Sequence, residues 1–259
     1  MSSSTTASLD RIPSKAPARS NPTRYLHVSF AVLLFALAFV GFQFFYLQGK
    51  AYPGRALLPQ ARTLVVLHGV LMSAWMVLFV AQPLLIASGN RKLHMAIGKL
   101  GAVLAAGMVI VGPMVAVAVV RYGPEFPLWG LNRRQFMAIS ILSIVTFGVY
   151  VGIGVWQRRR PAIHRAMMLL GTLAAMAAAT DRIGALHGLY AESLWGRLFG
   201  PFFPVLVIGA AFLGIKALLT RSLDRSFAVG FAALAGVCAL IMWIATTGAW
   251  FRFASFLVG

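Results

Sequence analysis

Acidic side chains are scarce in this chain: Asp and Glu number five against 23 Lys and Arg in 259 residues, a formal net charge of +18. Four of the five fall in the N-terminal stretch, in loops or near span ends, which excludes carboxylate-bridged metal sites as an organising chemistry. Cysteine is almost missing as well. Cys238 stands alone inside an apolar run, so neither a disulfide framework nor a cysteine metal cluster can form. There is no C-x-x-C-H, hence no covalently attached c-type haem. P-loop, Rossmann glycine fingerprint, G-x-S-x-G and H-E-x-x-H are all absent. No apolar core precedes Tyr25, so a cleavable signal peptide is not expected.

What the chain has in abundance is hydrocarbon. Sixty per cent of residues are apolar and eleven per cent charged, and several apolar runs exceed the ~20 residues that cross a ~30 Å hydrocarbon core. The expected fold is all-α, a polytopic transmembrane bundle of about seven spans, near 25–47, 62–87, 94–120, 135–156, 162–187, 198–219 and 227–250. Residues 1–24, rich in Ser, Thr, Pro and Ala, are expected to be a disordered basic tail. Pro201 and Pro204 fall in the first turns of the sixth span, where a missing amide donor costs least. Gly112-Pro113 is expected to bend the third span.

The basic residues sit in the short connections between apolar runs, a topogenic pattern that predicts no nucleic-acid partner. Fourteen Lys and Arg fall on the side of the tail and of the turns near 88–99, 157–165 and 216–225, and nine on the other. That bias predicts a bacterial inner (plasma) membrane protein with a cytoplasmic N-terminus and a periplasmic C-terminus. Trp129, Trp195 and Trp250 then fall at the outer interface and Trp156 at the inner one, as aromatic belts prefer.

Two stretches begin alike. Residues 94–105 and 164–175 agree at five of twelve positions, including the leading histidines His94 and His164. Each follows a basic turn and opens an apolar span, so the two imidazoles are expected on one side of the membrane. Stripes at helical spacing run on from them: His94, Gly98, Gly101, Ala105, Met108 and Gly112 in one span, His164, Met168, Gly171, Ala175, Ala178 and Arg182 in the other. Such small-residue grooves suit close helix packing or the edge of a flat cofactor. The second span carries His68, Met72, Trp75, Phe79 and Gln82 on one face. His68 and Gln82 must look towards protein or water, since lipid satisfies neither. Asp181 and Arg182 lie inside the expected outer boundary of the fifth span, at the depth of His68, where ionisable groups default to a functional reading. A His68–Asp181 hydrogen bond would make a proton-handling pair.

Histidines on neighbouring helices at both faces are what non-covalent ligation of b-type haem requires. His94 and His164 would be the inner ligands of the haem iron, His68 and His187 the outer ones. Here the chain resembles bacterial polytopic inner-membrane proteins with an R-x-x-H turn (Arg91-Lys92-Leu93-His94) and a second H-R helix start (His164-Arg165). More distantly it resembles transmembrane cytochrome b and ferric-reductase-like proteins. The resemblance covers roughly 62–187 and implies haem b and electron transfer, with a quinone or a redox partner protein as donor, because the chain has no flavin domain. Two departures favour one inner haem over two: span four has no histidine, and His187 lies near the surface while His68 lies about 9 Å deeper. A second function class stays open beside it. His68, Gln82, Asp181 and Arg182 could line a polar cavity in a non-haem sensor or transporter, or serve packing in a respiratory accessory subunit, with the inner histidines among anionic lipid head groups.

Overall fold

The computed structural model describes residues 23–52, 55–125 and 127–259. The tail expected over 1–24 lies almost wholly outside them. The described chain is mostly helical, its strands being those of a two-strand hairpin, β1 (Lys50–Tyr52) with β2 (Arg55–Ala56). The helices are α1 (Thr23–Gly41), α2 (Gln43–Gln48), α3 (Arg62–Ala87), α4 (Arg91–Tyr122), α5 (Arg133–Trp156), α6 (Pro161–Ala175), α7 (Ala177–Asp181), α8 (Gly184–Tyr190), α9 (Leu194–Phe199), α10 (Phe203–Thr220), α11 (Arg225–Thr246) and α12 (Gly248–Val258). Six stretches are long and apolar enough to cross a membrane, among them α3, α4, α5 and α11. The 19 residues of α1 reach about 28 Å at 1.5 Å each, close to a seventh crossing. The protein is an all-α, multi-pass membrane bundle of six to seven spans.

Glycine sets the register at its centre. Cβ atoms added to Gly98, Gly101, Gly107 and Gly112 of α4 would meet Gln82, Leu78, Leu71 and His68 of α3 in turn, so the two helices run antiparallel. Likewise Gly148 of α5 faces Val109 of α4, and Gly171 of α6 faces Val151, Tyr150 and the Phe147 carbonyl of α5. The small-residue grooves are therefore filled by neighbouring helices, as close membrane packing requires. Pro113 and Pro83 sit inside α4 and α3 without interrupting either helix.

The expected fifth span, 162–187, is broken. Helix α6 stops at Ala175, α7 stops at Asp181, and His187 rides on the separate short α8. At the break the buried Thr180 hydroxyl donates to the Met176 or Ala177 carbonyl, 3.3 and 3.2 Å away. That is how a buried helix end is satisfied without water. The break also lets α1 cross close by: a Cβ on Gly41 would overlap the Ala179 carbonyl. The last span likewise ends early, at Thr246. Helix α12 then links two helix ends, its Trp250 Nε1 donating to the Arg134 carbonyl (2.9 Å) and Arg121 Nε donating to the Val258 carbonyl (2.6 Å). Its 11 residues are about 16 Å long, too short to cross. It buries Trp250, Ala254 and Val258 and exposes Phe251, Phe253 and Phe256, an interfacial helix by its two faces.

Asp224 closes the α10–α11 turn. Its carboxylate accepts from Lys216 Nζ and from the Phe227 amide, capping α11. Burial opposes its ionisation, but those two hydrogen bonds and the charges of Lys216 and Arg165 hold its pKa below the ordinary value of 3.8. A depressed carboxyl pKa contributes stability above the unfolded value that is lost as pH falls through the folded one. Asp224→Ala should therefore lower the melting temperature in detergent at pH 7, and the gap from the parent should close as pH drops below about 4. Gly41→Leu should destabilise by about 1–3 kcal/mol through overpacking against α7. Gly152→Leu, where an added Cβ meets nothing within 4 Å, should be close to neutral in the same melts.

Candidate functional site

Two hairpins build the end of the bundle that carries the basic turns. In the α3–α4 hairpin the chain turns at Gly89 (φ 83°), and Asn90 Oδ1 caps α4 by accepting from the Leu93 amide at 3.1 Å. In the α5–α6 hairpin Arg160 N donates to the Gln157 carbonyl (2.7 Å) and Pro161 takes the first helical position of α6. Each hairpin returns with a histidine in the first turn of its second helix. The rings of His94 and His164 are consequently neighbours, centroids 6.4 Å apart and nearly perpendicular at 88°. The expectation that α4 and α6 start on one side with adjacent imidazoles is met in this geometry.

The two rings differ in surroundings. His164 Nδ1 lies 2.8 Å from the Gly154 carbonyl, which only accepts, so Nδ1 carries the proton and the lone pair of the neutral ring sits on Nε2. The His94 ring lies within hydrogen-bonding reach of the Gln82 backbone carbonyl, while its buried Nδ1 makes no bond of ordinary geometry. Both polar atoms of the Gln82 side chain are also buried and unpartnered. Gly98, one turn on from His94, faces the Gln82 amide: a Cβ there would come 3.7 Å from Nε2 and meet nothing else nearer than 4 Å. Around this end the exposed side chains include Arg91, Lys92, Arg158, Arg159, Arg160 and Arg165.

Midway along the bundle the α3 stripe reaches α6 through Trp75. Trp75 Nε1 donates to Thr172 Oγ1 at 3.2 Å, Thr172 donates on to the Met168 carbonyl at 3.0 Å, and Trp75 stands edge-on to Phe147 at 4.9 Å. Thr172 lies beside Gly171 and outside the stripe read from the sequence, so its bond to Trp75 was not anticipated.

The far end holds the remaining candidates, with His68 within electrostatic reach of Arg182. His68 packs against Gly112, its Nδ1 buried without a partner. Asp181 turns elsewhere: its Oδ1 accepts from Trp129 Nε1 (2.9 Å) and faces His187 Nδ1 (3.3 Å), so the expected His68–Asp181 bond is not made through either atom. The His187 ring packs on Trp129 at 4.7 Å and Tyr190 at 6.2 Å, not on His68. Burial, with the Asp181 carboxylate nearby, pushes the Tyr190 phenol well above its ordinary pKa. Arg182 sits over the Phe42 and Tyr52 rings at 4.6 and 4.8 Å and donates to the Ala178 carbonyl. Gln82, fourteen residues along α3 from His68, is some 21 Å from that level. The four residues expected to share one cavity are thus split between the two ends. The Trp129–Asp181 bond, 52 residues apart in sequence, had no signal there. Among the described residues no group of three or more His, Cys, Asp and Glu converges as a metal site.

No family model, curated protein or solved structure matches the chain, so the site is read from its own geometry. Thr172→Val would leave the buried Trp75 indole N–H unpaired and should cost about 1–3 kcal/mol. Adding Trp75→Phe should recover part of that loss, a non-additivity that a double-mutant cycle in thermal melts reads directly.

Proposed function

We propose that this chain is an integral membrane redox protein that holds one b-type haem between His94 and His164. The observation that carries the reading is the 6.4 Å separation of two near-perpendicular imidazoles. Two rings bonded to opposite sides of one metal at ~2.0 Å each have centroids roughly 6 Å apart. The Gly154 carbonyl supports it, since it fixes the His164 tautomer with Nε2 free to bind a metal, as backbone acceptors do for ligating histidines. A pair of imidazoles without a third ligand suits a macrocycle that supplies the other donors, whereas an isolated ion would want more protein ligands.

When bound, haem would supply one-electron chemistry, with His94 and His164 the residues that would hold it. The chain's own residues do the rest. His94 and His164 would fix the position, and the surrounding exposed Arg and Lys side chains would offer counter-charges for anionic propionates. The basic face is the cytoplasmic side of a bacterial inner membrane in this reading, with a quinone or a redox protein as electron partner. A second haem on His68 and His187 is not part of the proposal, because His187 is engaged with Asp181 and Trp129.

A reduced-minus-oxidised absorption spectrum of protein purified from haem-replete cells should show b-type bands. His94→Ala and His164→Ala should each abolish them while His187→Ala leaves them intact. Absence of bands from the parent protein, or their survival in both inner variants, would reject the reading.

A further inference from the structure

The end of the bundle that carries the basic turns is charged almost wholly one way. Its three turns form one electrostatic face. The Arg91 charge is felt at His94, whose ring neighbours that of His164, and the Arg165 charge is felt at Asp224 in the α10–α11 turn. Carboxylates are nearly all elsewhere. Glu125 lies near Arg133 and Asp181 bonds to Trp129, both at the far end, and Glu192 is two residues past Tyr190, which stacks on Trp129. Asp224 shares the basic face but is already engaged by Lys216 Nζ and the Phe227 amide. Arg91, Lys92, Arg158, Arg159 and Arg160 are exposed, and none of the five makes an ion pair with a described residue.

Below the α3–α4 turn the two helices form an apolar groove of about 450 Å³, lined by Ala81, Leu84, Leu85, Ser88, Leu93 and Ile97. Leu84 and Leu93 are exposed, so the groove opens outward to the bilayer and not into the bundle. From Ala81 to Ser88 it extends about 10 Å along α3. Ser88 caps the end of α3 and Arg91 opens α4, so the groove runs up to the cationic turn. Hydrocarbon-facing surface and unneutralised cations therefore meet at one place. A soluble acidic protein would reach the turns but not a groove within the membrane. A zwitterionic lipid would fill the groove but leave the excess positive charge uncompensated.

We propose that the α3–α4 hairpin is a binding site for an anionic phospholipid in the leaflet on which the basic turns lie. One acyl chain lies along the groove and the head-group phosphate pairs with Arg91 and Lys92, while the arginines of the α5–α6 turn add longer-range attraction. The lipid site is independent of haem occupancy.

The test titrates full-length protein in mild detergent with dioleoyl phosphatidylglycerol, or with dioleoyl phosphatidylcholine as the zwitterionic lipid of the same chains. Native mass spectrometry counts the lipid retained. The parent should hold phosphatidylglycerol at least about fivefold more tightly, the preference that a single cation gives at an anionic surface. Arg91→Gln combined with Lys92→Gln should remove most of that preference, whereas Arg91→Lys combined with Lys92→Arg should keep it. Ala81→Phe, which fills the groove and leaves every cation in place, should weaken binding of both lipids, and thermal melts confirm that the variants fold. Equal retention of the two lipids by the parent, an unchanged preference in the neutralised variant, or undiminished lipid binding in Ala81→Phe would overturn the proposal. Displacement of phosphatidylglycerol by an equal concentration of inorganic phosphate would overturn it too, because the site would then be one for a free anion.

Discussion

The hydrogen bond from His164 Nδ1 to the Gly154 carbonyl is the constraint on which the basic end of the bundle turns. It crosses the α5–α6 hairpin, ties the last turn of one helix to the first turn of the next, and holds the imidazole in one tautomer. In water such a bond contributes modestly, because solvent competes for both partners. At a membrane boundary the alternative is an orphaned carbonyl and an orphaned ring nitrogen, so the geometry is strongly preferred. With that ring fixed, the α3–α4 hairpin needs only to bring His94 to the same depth, and the glycine-lined α3–α4 contact does so by letting the backbones approach.

The two ends of the bundle solve the polar-group problem differently. At the Trp129 end, Asp181, His187 and Trp129 bond among themselves, and Arg182 settles its charge on two aromatic faces and a helix carbonyl. Four buried polar atoms there still lack a partner: His68 Nδ1, Arg134 Nε, Arg182 Nε and the Tyr190 hydroxyl. At the basic end the unmet atoms are Gln82 Nε2, Gln82 Oε1 and His94 Nδ1. The functional reading sits at the basic end because the His94 and His164 rings meet there.

Much of the architecture was legible because hydrophobic run length is a strong signal in lipid. The span over 62–87 coincides with α3, and the starts of α4 and α6 were marked by basic turns followed by histidine. What sequence could not carry was tertiary choice. The expected fifth span ran unbroken to His187, because Ala-rich sequence around Met176 contains no proline or glycine to announce a break. The break follows from Thr180 and from the crossing of α1 at Gly41. Asp181 was matched to His68 by depth alone, whereas Trp129, on a connecting loop, reaches Asp181 first. Depth along a helix is readable from counting residues, but azimuth relative to distant helices is not. The His94–His164 proximity could be anticipated because it needed only a shared side and two neighbouring hairpins.

The most direct test of the account is the proximity of those two helix starts. In a Cys238→Ser background, His94→Cys combined with His164→Cys should be joined rapidly by a short bifunctional thiol cross-linker in native membranes. His94→Cys combined with His187→Cys should not. Efficient linkage of the second pair, or none of the first with both thiols reactive to a monofunctional reagent, would contradict the central claim that α4 and α6 bring their leading residues together.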